Sequence, residues 1–271
     1  IKLASFSFAK KLKESGVEKV FFSFDSFDKN YYKIMNDNEN ILYLKLLALK
    51  NLEELKVDTI LSSRIVKGLN EKEVKNIINF CVEAAKRKKS IRGVYFYAAT
   101  RYGRFMIENG SMSVEELYKL IKNATKGAAN IEYFIESKKF ILLLHQILEK
   151  FRMFLPFGGG GFIAPFSVGS IKKFIPLKNL KRINQFLERG QYFKALKCIL
   201  RENKMKDILK VMIKRKPIEN SILTSGILIG FGGVNTPISF DVHSFEAPEI
   251  FKKKSLFFVR SFSWADIGEK A

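Results

Sequence analysis

The chain of 271 residues is long enough for one large domain or two small ones, and its 47% of hydrophobic residues favour a globular fold over disorder. The net charge of +21 could attract nucleic acid, anionic lipid or phosphorylated ligands, but lysines lie on nearly every predicted helix, which is typical of a solvated basic surface. Two cysteines, Cys81 and Cys198, exclude a disulfide framework and a metal site built from cysteine alone.

The first hundred residues alternate between helical patterns and continuous apolar runs. Continuous apolar strands separated by helices indicate right-handed βαβ crossovers and a parallel sheet. Asn70 is predicted to be the N-cap of the third helix, whose apolar face includes Cys81. The predicted helices are 5–15, 41–56 and 70–88, and the predicted strands are 17–24, 57–66 and 91–100.

Beyond residue 105 the pattern is less regular and indicates an α+β region. Ser113 and Glu116 predict a capping box for a helix at 114–124. The glycine-rich segments 158–161 and 229–235 do not fit a phosphate-binding loop, so both are predicted to be ordinary loops. Further helices are predicted at 140–155, 178–188 and 191–213, hairpins at 162–177 and 243–262, and a domain boundary at 106–112, giving domains 1–108 and 109–271.

Polar residues follow each of the first three predicted strands. The strands end in "SFD" (23–25), "SSRIVKGLN" (62–70) and "YAATRYGR" (97–104). Ligands of parallel α/β folds bind at the carboxyl ends of the strands. The sequence therefore predicts a binding site at these three strand ends.

Three segments resemble strands four to six of the radical S-adenosylmethionine (SAM) partial barrel, in the right order and spacing. They are "VFFSFDSFDKNYYKI", "RIVKGLNEKEVKNIINF" and "IRGVYFYAATRYGR", and "ILIGFGGVNTPISFD" (227–241) matches more loosely. The branch that they resemble contains archaeal tetraether lipid synthases and methanogen pterin methyltransferases. The resemblance implies an α/β fold, the C-terminal half of a partial (β/α)6 TIM-like barrel, followed by an α+β region.

The resemblance also implies two cofactors, SAM and a [4Fe–4S] cluster held by three cysteine thiolates. Relatives cleave SAM to a radical and use it for methyl transfer or carbon–carbon bond formation. The family's CxxxCxxC loop follows the first barrel strand, whereas this sequence starts two strands later and Cys81 lies on an apolar helix face. We therefore expect a fragment or degenerate member that cannot bind the cluster and is inactive alone, with no catalytic or metal-ligating residue.

The resemblance implies that five residues at the strand ends bind the cofactor, although Tyr95 and Tyr97 stand where relatives have Asn and Gln. For Ser23 and Asp25 the alternative is an Asx-type turn before a helix capped by Asp28. For Arg64, which stands where relatives have a smaller polar residue, the alternative is a replacement salt bridge. For Arg104 the alternatives are a structural role and a side chain in solvent. The five residues are Ser23, Asp25, Arg64, Tyr97 and Arg104.

Other features indicate the partners and the location. His145 lies in an apolar run typical of a core or interface, and His243 has no second ligand at metal spacing. No membrane span or signal peptide is recognisable, so we expect a cytoplasmic protein.

The implied substrate is a small or lipid-like molecule, which the 26 phenylalanines would suit, although a packed core explains them as well. The alternative function is a non-catalytic accessory protein that binds polyanions. No motif in the sequence supports the binding of nucleic acid.

Overall fold

The computed structural model describes residues 2–17, 19–36, 38–87, 90–99, 111–150, 162–167, 171–202, 226–233 and 259–260. The helices are α1 (Phe6–Glu14), α2 (Lys29–Asn36), α3 (Ile41–Glu54), α4 (Glu73–Lys86), α5 (Val114–Ala124), α6 (Ile131–Lys150), α7 (Leu177–Glu188) and α8 (Tyr192–Arg201). The strands are β1 (Lys19–Ser23), β2 (Asp58–Ile65), β3 (Ile91–Ala98), β4 (Phe162–Ser167), β5 (Lys172–Lys173), β6 (Gly226–Gly233) and β7 (Val259–Arg260).

The described strands form one mixed sheet in the order β5-β4-β6-β3-β2-β1-β7. The pairs β7–β1, β1–β2, β2–β3 and β3–β6 are parallel, and β4 is antiparallel to both of its neighbours. The α/β class and the parallel pairing of the first three strands are therefore confirmed. So is the predicted hairpin at 162–177, because β4 and β5 pair antiparallel. The predicted hairpin at 243–262 lies outside the described residues except for β7.

The two faces of this sheet differ in burial. Successive strand residues point to opposite faces, and the strand register therefore assigns each side chain to a face. The side chains on one face are buried along the length of the sheet, and they are Val20, Phe22, Leu61, Ile65, Val94, Phe96, Ile229 and Phe231. The opposite face is half-buried at Phe21, Ser23, Ser62, Arg64 and Tyr97. Parallel strands joined by helices occur in both barrels and open sheets, so the partial barrel stays a prediction.

The hydrophobic core joins helices from both sides of residue 109 to the sheet. The ring of Phe231 on β6 lies 4.8 Å from that of Phe134 on α6 and 5.8 Å from that of Tyr118 on α5. β6 also pairs with β3, so the sheet crosses the predicted boundary between 1–108 and 109–271. The boundary residues 100–110 lie outside the described part of the chain, and the division into two domains stays a prediction.

The loop predicted at 229–235 is wrong for its first five residues, which belong to β6. The glycines there have a place in the sheet. Gly230 pairs with Tyr95 and Gly232 with Tyr97, so each large ring lies beside a residue without a side chain. The Tyr95 hydroxyl donates to the carbonyl of Phe231 at 3.0 Å. The other predicted glycine loop, 158–161, lies outside the described residues.

The N-cap prediction for Asn70 is also wrong. α4 begins at Glu73 after Lys72, and no side chain caps its first turn. The side chain of Asn70 instead forms hydrogen bonds with the backbone of Asp25, Arg64 and Val66, because these tertiary partners compete with the local helix start. The capping box of Ser113 and Glu116 is confirmed. Within the described part of the chain, no helix is long and apolar enough to cross a membrane.

Candidate functional site

The carboxyl ends of β1, β2 and β3 lie side by side and form what we call the carboxyl edge. Ser23, the last residue of β1, is opposite Ser62, and Arg64 near the end of β2 is opposite Tyr97. Asp25 follows β1 directly. Four of the five predicted cofactor residues therefore come together here, and the fifth, Arg104, lies outside the described residues.

Asp25 holds the first two strand ends together. It is 6% exposed, and its Oδ1 accepts a hydrogen bond from the backbone N–H of Arg64 at 2.7 Å. Next to it, the N–H of Phe24 donates to the carbonyl of Ser62 at 2.9 Å. The side chain of Asp25 therefore reaches across strands. Asp28 caps α2, as the sequence predicted, because its Oδ1 accepts from the N–H of Asn30 at 2.9 Å.

Tyr32, on α2, fixes the backbone that follows β1. Its hydroxyl accepts hydrogen bonds from the N–H groups of Asp25 at 3.3 Å and Ser26 at 3.2 Å, and it donates to the carbonyl of Ser26 at 3.0 Å. The side chain is fully buried, and burial raises the pKa of its hydroxyl. A tyrosine hydroxyl is protonated at neutral pH in any case and can donate, and burial keeps it neutral to a higher pH.

The β2–α4 loop supports the same backbone from the other side. Asn70 is buried, and its Nδ2 donates to the carbonyls of Asp25 and Arg64, both at 2.9 Å, while its Oδ1 accepts from the N–H of Val66 at 2.7 Å. Glu73 accepts from the N–H of Phe27 at 2.8 Å. These bonds hold the carboxyl edge in one geometry, which a binding site needs.

Lys45 of α3 is a residue of this edge that the sequence reasoning missed. Its ammonium donates to the carbonyl of Ser23 at 2.5 Å and to its Oγ at 3.3 Å. It also lies over the rings of Phe22 and Tyr32, at 5.7 and 5.6 Å from their centroids. Burial lowers the pKa of Lys45, and the nearby carboxylate of Asp25 opposes that shift.

A sequence signal for Lys45 did exist. It stands four residues after Ile41 and three before Ala48, both buried on the inner face of α3. A lysine on the apolar stripe of a helix reaches a polar partner at the end of its side chain. Tyr31, the neighbour of Tyr32 on α2, was missed as well, and it is 2% exposed.

Metal ligands are scarce in the described residues. Cys81 is fully buried in α4, and burial raises the pKa of its thiol, so it is a neutral core residue as its helical face predicted. Cys198 on α8 is half-buried. Within the described part of the chain, no three His, Cys, Asp or Glu residues are placed to hold a metal ion.

Comparison with known proteins found a distant relative across about half of the chain. The chain is similar to a methanogen methyltransferase. It is 28% identical over 138 residues to 7,8-dihydro-6-hydroxymethylpterin dimethyltransferase of Methanocaldococcus jannaschii. The match covers 49% of this chain but 26% of that enzyme, so it establishes a distant relative that is much longer than the shared part. No protein-family model matches the chain.

Proposed function

We propose that the chain is a member of the radical SAM enzymes whose carboxyl edge contacts SAM. Support comes from the distant relative, because a pterin dimethyltransferase belongs to the branch that the three strand-end segments resemble. The proposed substrate is a small molecule, as the name of that relative indicates for its own reaction, or a lipid-like one.

The observation that carries the proposal is the meeting of Ser23, Asp25, Arg64 and Tyr97 at one edge of a parallel sheet. These residues come from the three segments that carry the resemblance. Such an edge is where α/β folds bind their ligands. If the resembling segments lay in loops that do not meet in the fold, their residues would lie apart.

The residue types suit a cofactor with the groups of SAM. The oxygens of Ser23 and Asp25 can accept from hydroxyl or ammonium groups. The guanidinium of Arg64 can pair with a carboxylate, and the ring of Tyr97 offers an aromatic face to adenine. When bound, SAM supplies an activated methyl or adenosyl group, and these residues would orient it.

The cluster does not fit the cysteines of this chain. Its 271 residues contain two cysteines where three thiolates are needed, and Cys81 is sealed in the core. We therefore propose that the residues of the carboxyl edge bind SAM, but that this chain performs no radical chemistry by itself. Anaerobic reconstitution with iron and sulfide tests this, since a thiolate-to-iron absorption band from the purified chain would refute it.

Binding of S-adenosylhomocysteine, measured by calorimetry, tests the proposed site. Tyr97→Ala and Ser23→Ala should each weaken binding by about tenfold, the equivalent of one good contact. Tyr192→Ala is the matched control, because Tyr192 is half-exposed on α8, outside the carboxyl edge. If the wild-type chain shows no binding, or if all three variants bind equally well, the proposed site is wrong.

A second candidate function is the binding of polyanions, and the net charge of +21 favours it. In that case a short RNA should shift in a gel at low salt, with an affinity that falls steeply as salt rises. An absent or salt-insensitive shift would remove this candidate. The test is independent of S-adenosylhomocysteine, so the two functions can be separated.

A further inference from the structure

The helix α8 exposes a group of large apolar side chains, which we call the apolar strip. Of its ten residues, Tyr192, Phe193, Leu196 and Leu200 belong to the strip, and each is more than a third exposed. Phe193 is 85% exposed, more than any other large hydrophobic side chain in the described part of the chain. Single exposed apolar residues are ordinary on protein surfaces, whereas a contiguous group of them needs an explanation.

The apolar strip is separate from the contacts that hold α8 in the fold. Its four residues are spaced three or four apart and therefore share one side of the helix. The adjoining side, with Ala195 and Ile199, is buried in the hydrophobic core. α8 is thus attached to the rest of the protein by its buried side, and the strip faces solvent.

The charged residues of α8 are all cations. Lys194, Lys197 and Arg201 are exposed on the side of the helix that lies away from the core, and α8 contains no acidic residue. The neighbouring helix α7 adds a fourth cation, Arg182, whose guanidinium lies 5.5 Å from the centre of the Phe186 ring. The ammonium of Lys194 lies 6.0 Å from the same ring. The cations of both helices therefore meet on one exposed surface beside the strip.

We propose that the apolar strip and these cations dock the protein onto the surface of an anionic phospholipid bilayer. The apolar side chains enter the boundary between headgroups and acyl chains, while lysine and arginine bind the headgroup phosphates. Ten residues of helix are about 15 Å long, too short to cross a bilayer, so α8 lies in the plane of the surface. The proposal does not rest on the binding of a cofactor at the carboxyl edge.

The combination of charge and apolar surface favours a bilayer over other occupants. A second copy of this chain would bring the same cations against those of α8, and like charges oppose such a symmetric contact. A nucleic acid would attract the cations, but its phosphates offer no apolar surface to Leu196 and Leu200. An anionic bilayer matches both parts of the surface.

The experiment is co-sedimentation of the full chain with two kinds of vesicle: phosphatidylcholine alone, and phosphatidylcholine mixed equally with phosphatidylglycerol. Wild type should bind the mixed vesicles and bind the neutral ones at least about tenfold more weakly. Phe193→Ser should weaken binding to the mixed vesicles by about tenfold, because a buried aromatic ring is lost. The double variant Lys194→Glu/Lys197→Glu should weaken it by more than about tenfold.

Two control variants make the same chemical changes on other helices. Tyr43→Ser removes a ring that is 67% exposed on α3, and Lys72→Glu/Lys75→Glu reverses two exposed charges at the start of α4. Tyr43→Ser should leave vesicle binding unchanged, and the charge control should weaken it far less than the α8 pair. If the charge control weakens binding as much as the α8 pair, the attraction belongs to the whole basic surface, which overturns the docking site.

The remaining outcomes also decide the proposal. The thermal midpoint of Phe193→Ser should equal that of wild type, and a large fall would show that Phe193 packs against the chain and is no docking residue. Equal binding to neutral and anionic vesicles, or full binding by Phe193→Ser, overturns the proposal. So does wild type that binds no vesicle. In that case, an acidic amphipathic peptide that binds wild type but not Phe193→Ser would identify the strip as a protein interface instead.

Discussion

The carboxylate of Asp25 accepts a hydrogen bond from the backbone N–H of Arg64, at 2.7 Å across two adjacent strands. This bond continues the β1–β2 ladder beyond the pair Ser23–Ser62, with a side-chain oxygen where a strand would offer a carbonyl. Asp25 therefore aligns the ends of β1 and β2. This geometry favours a positioning role for Asp25 over that of a general base.

Asp25→Ala should lower the free energy of unfolding by about 1–3 kcal/mol, because it leaves the N–H of Arg64 without its acceptor in a buried place. Asp25→Asn keeps an acceptor oxygen of the same shape and should lose less than half of that. Urea denaturation of both variants measures the difference. Equal losses for Asn and Ala would mean that the charge of Asp25, and not its oxygen, is what the edge requires.

Asn70→Ala should destabilise the chain by about 2–4 kcal/mol, since one side chain makes three buried hydrogen bonds to the backbone. Asn70→Asp should cost more, because it turns a carboxylate towards the carbonyls of Asp25 and Arg64. The matched control is Asn79→Ala on the exposed face of α4, which should leave stability unchanged or raise it slightly. A small effect at Asn70 would contradict the network.

Cys81 should be protected from thiol reagents in the native protein at pH 8, whereas Cys198 should react. Burial raises the pKa of the Cys81 thiol, and the thiolate is the reactive form. The measurement is the labelling rate of Cys198→Ser, which retains Cys81, against that of Cys81→Ala, which retains Cys198. Both variants should label rapidly in urea. Equal native rates would show that Cys81 is accessible.

The stability of the chain should fall as pH rises from about 10 to about 12, partly through Tyr133. Burial raises the pKa of Tyr133 from 10.0 to about 12. Its hydroxyl donates to the carbonyl of Pro165 at 2.6 Å and accepts from the N–H of Phe174 at 2.9 Å. A raised folded-state pKa gives stability that is complete below the unfolded pKa and lost as pH passes the folded one.

Tyr133→Phe should therefore be less stable than wild type at pH 8 and should lose less stability between pH 10 and 12. Phe166→Leu is the control, since the ring of Phe166 lies 5.3 Å from that of Tyr133 and does not ionise. It should lower stability by a similar amount at every pH. An alkaline slope for Tyr133→Phe as steep as that of wild type would contradict the assignment.

Most of the first hundred residues could be predicted from the sequence. The strands of "VEKVFFSF" and "IRGVYFYAAT" and the helices between them were predicted to within a few residues, because apolar runs and helical spacing are local patterns. The capping box of Ser113 and Glu116 is equally local. Polar residues after three parallel strands also predicted that Ser23, Asp25, Arg64 and Tyr97 would share an edge.

Other features depend on partners distant in the sequence. "GILIGFGG" has the composition of a loop and becomes β6 because Tyr95 and Tyr97 fill the space beside its glycines. Asn70 looks like a helix cap but binds loops up to 45 residues away. Lys45 and Tyr31 carry no motif, and their place at the edge follows from how α2 and α3 pack.

The sequence by itself determined the order of helices and strands, the parallel direction of β1, β2 and β3, and the edge at which polar residues collect. These depend on the periodicity of apolar residues and on the fixed hand of the crossovers. Only the tertiary structure decided which side chains hold that edge. Hydrogen bonds are short and directional, so they depend on distances that no local pattern contains.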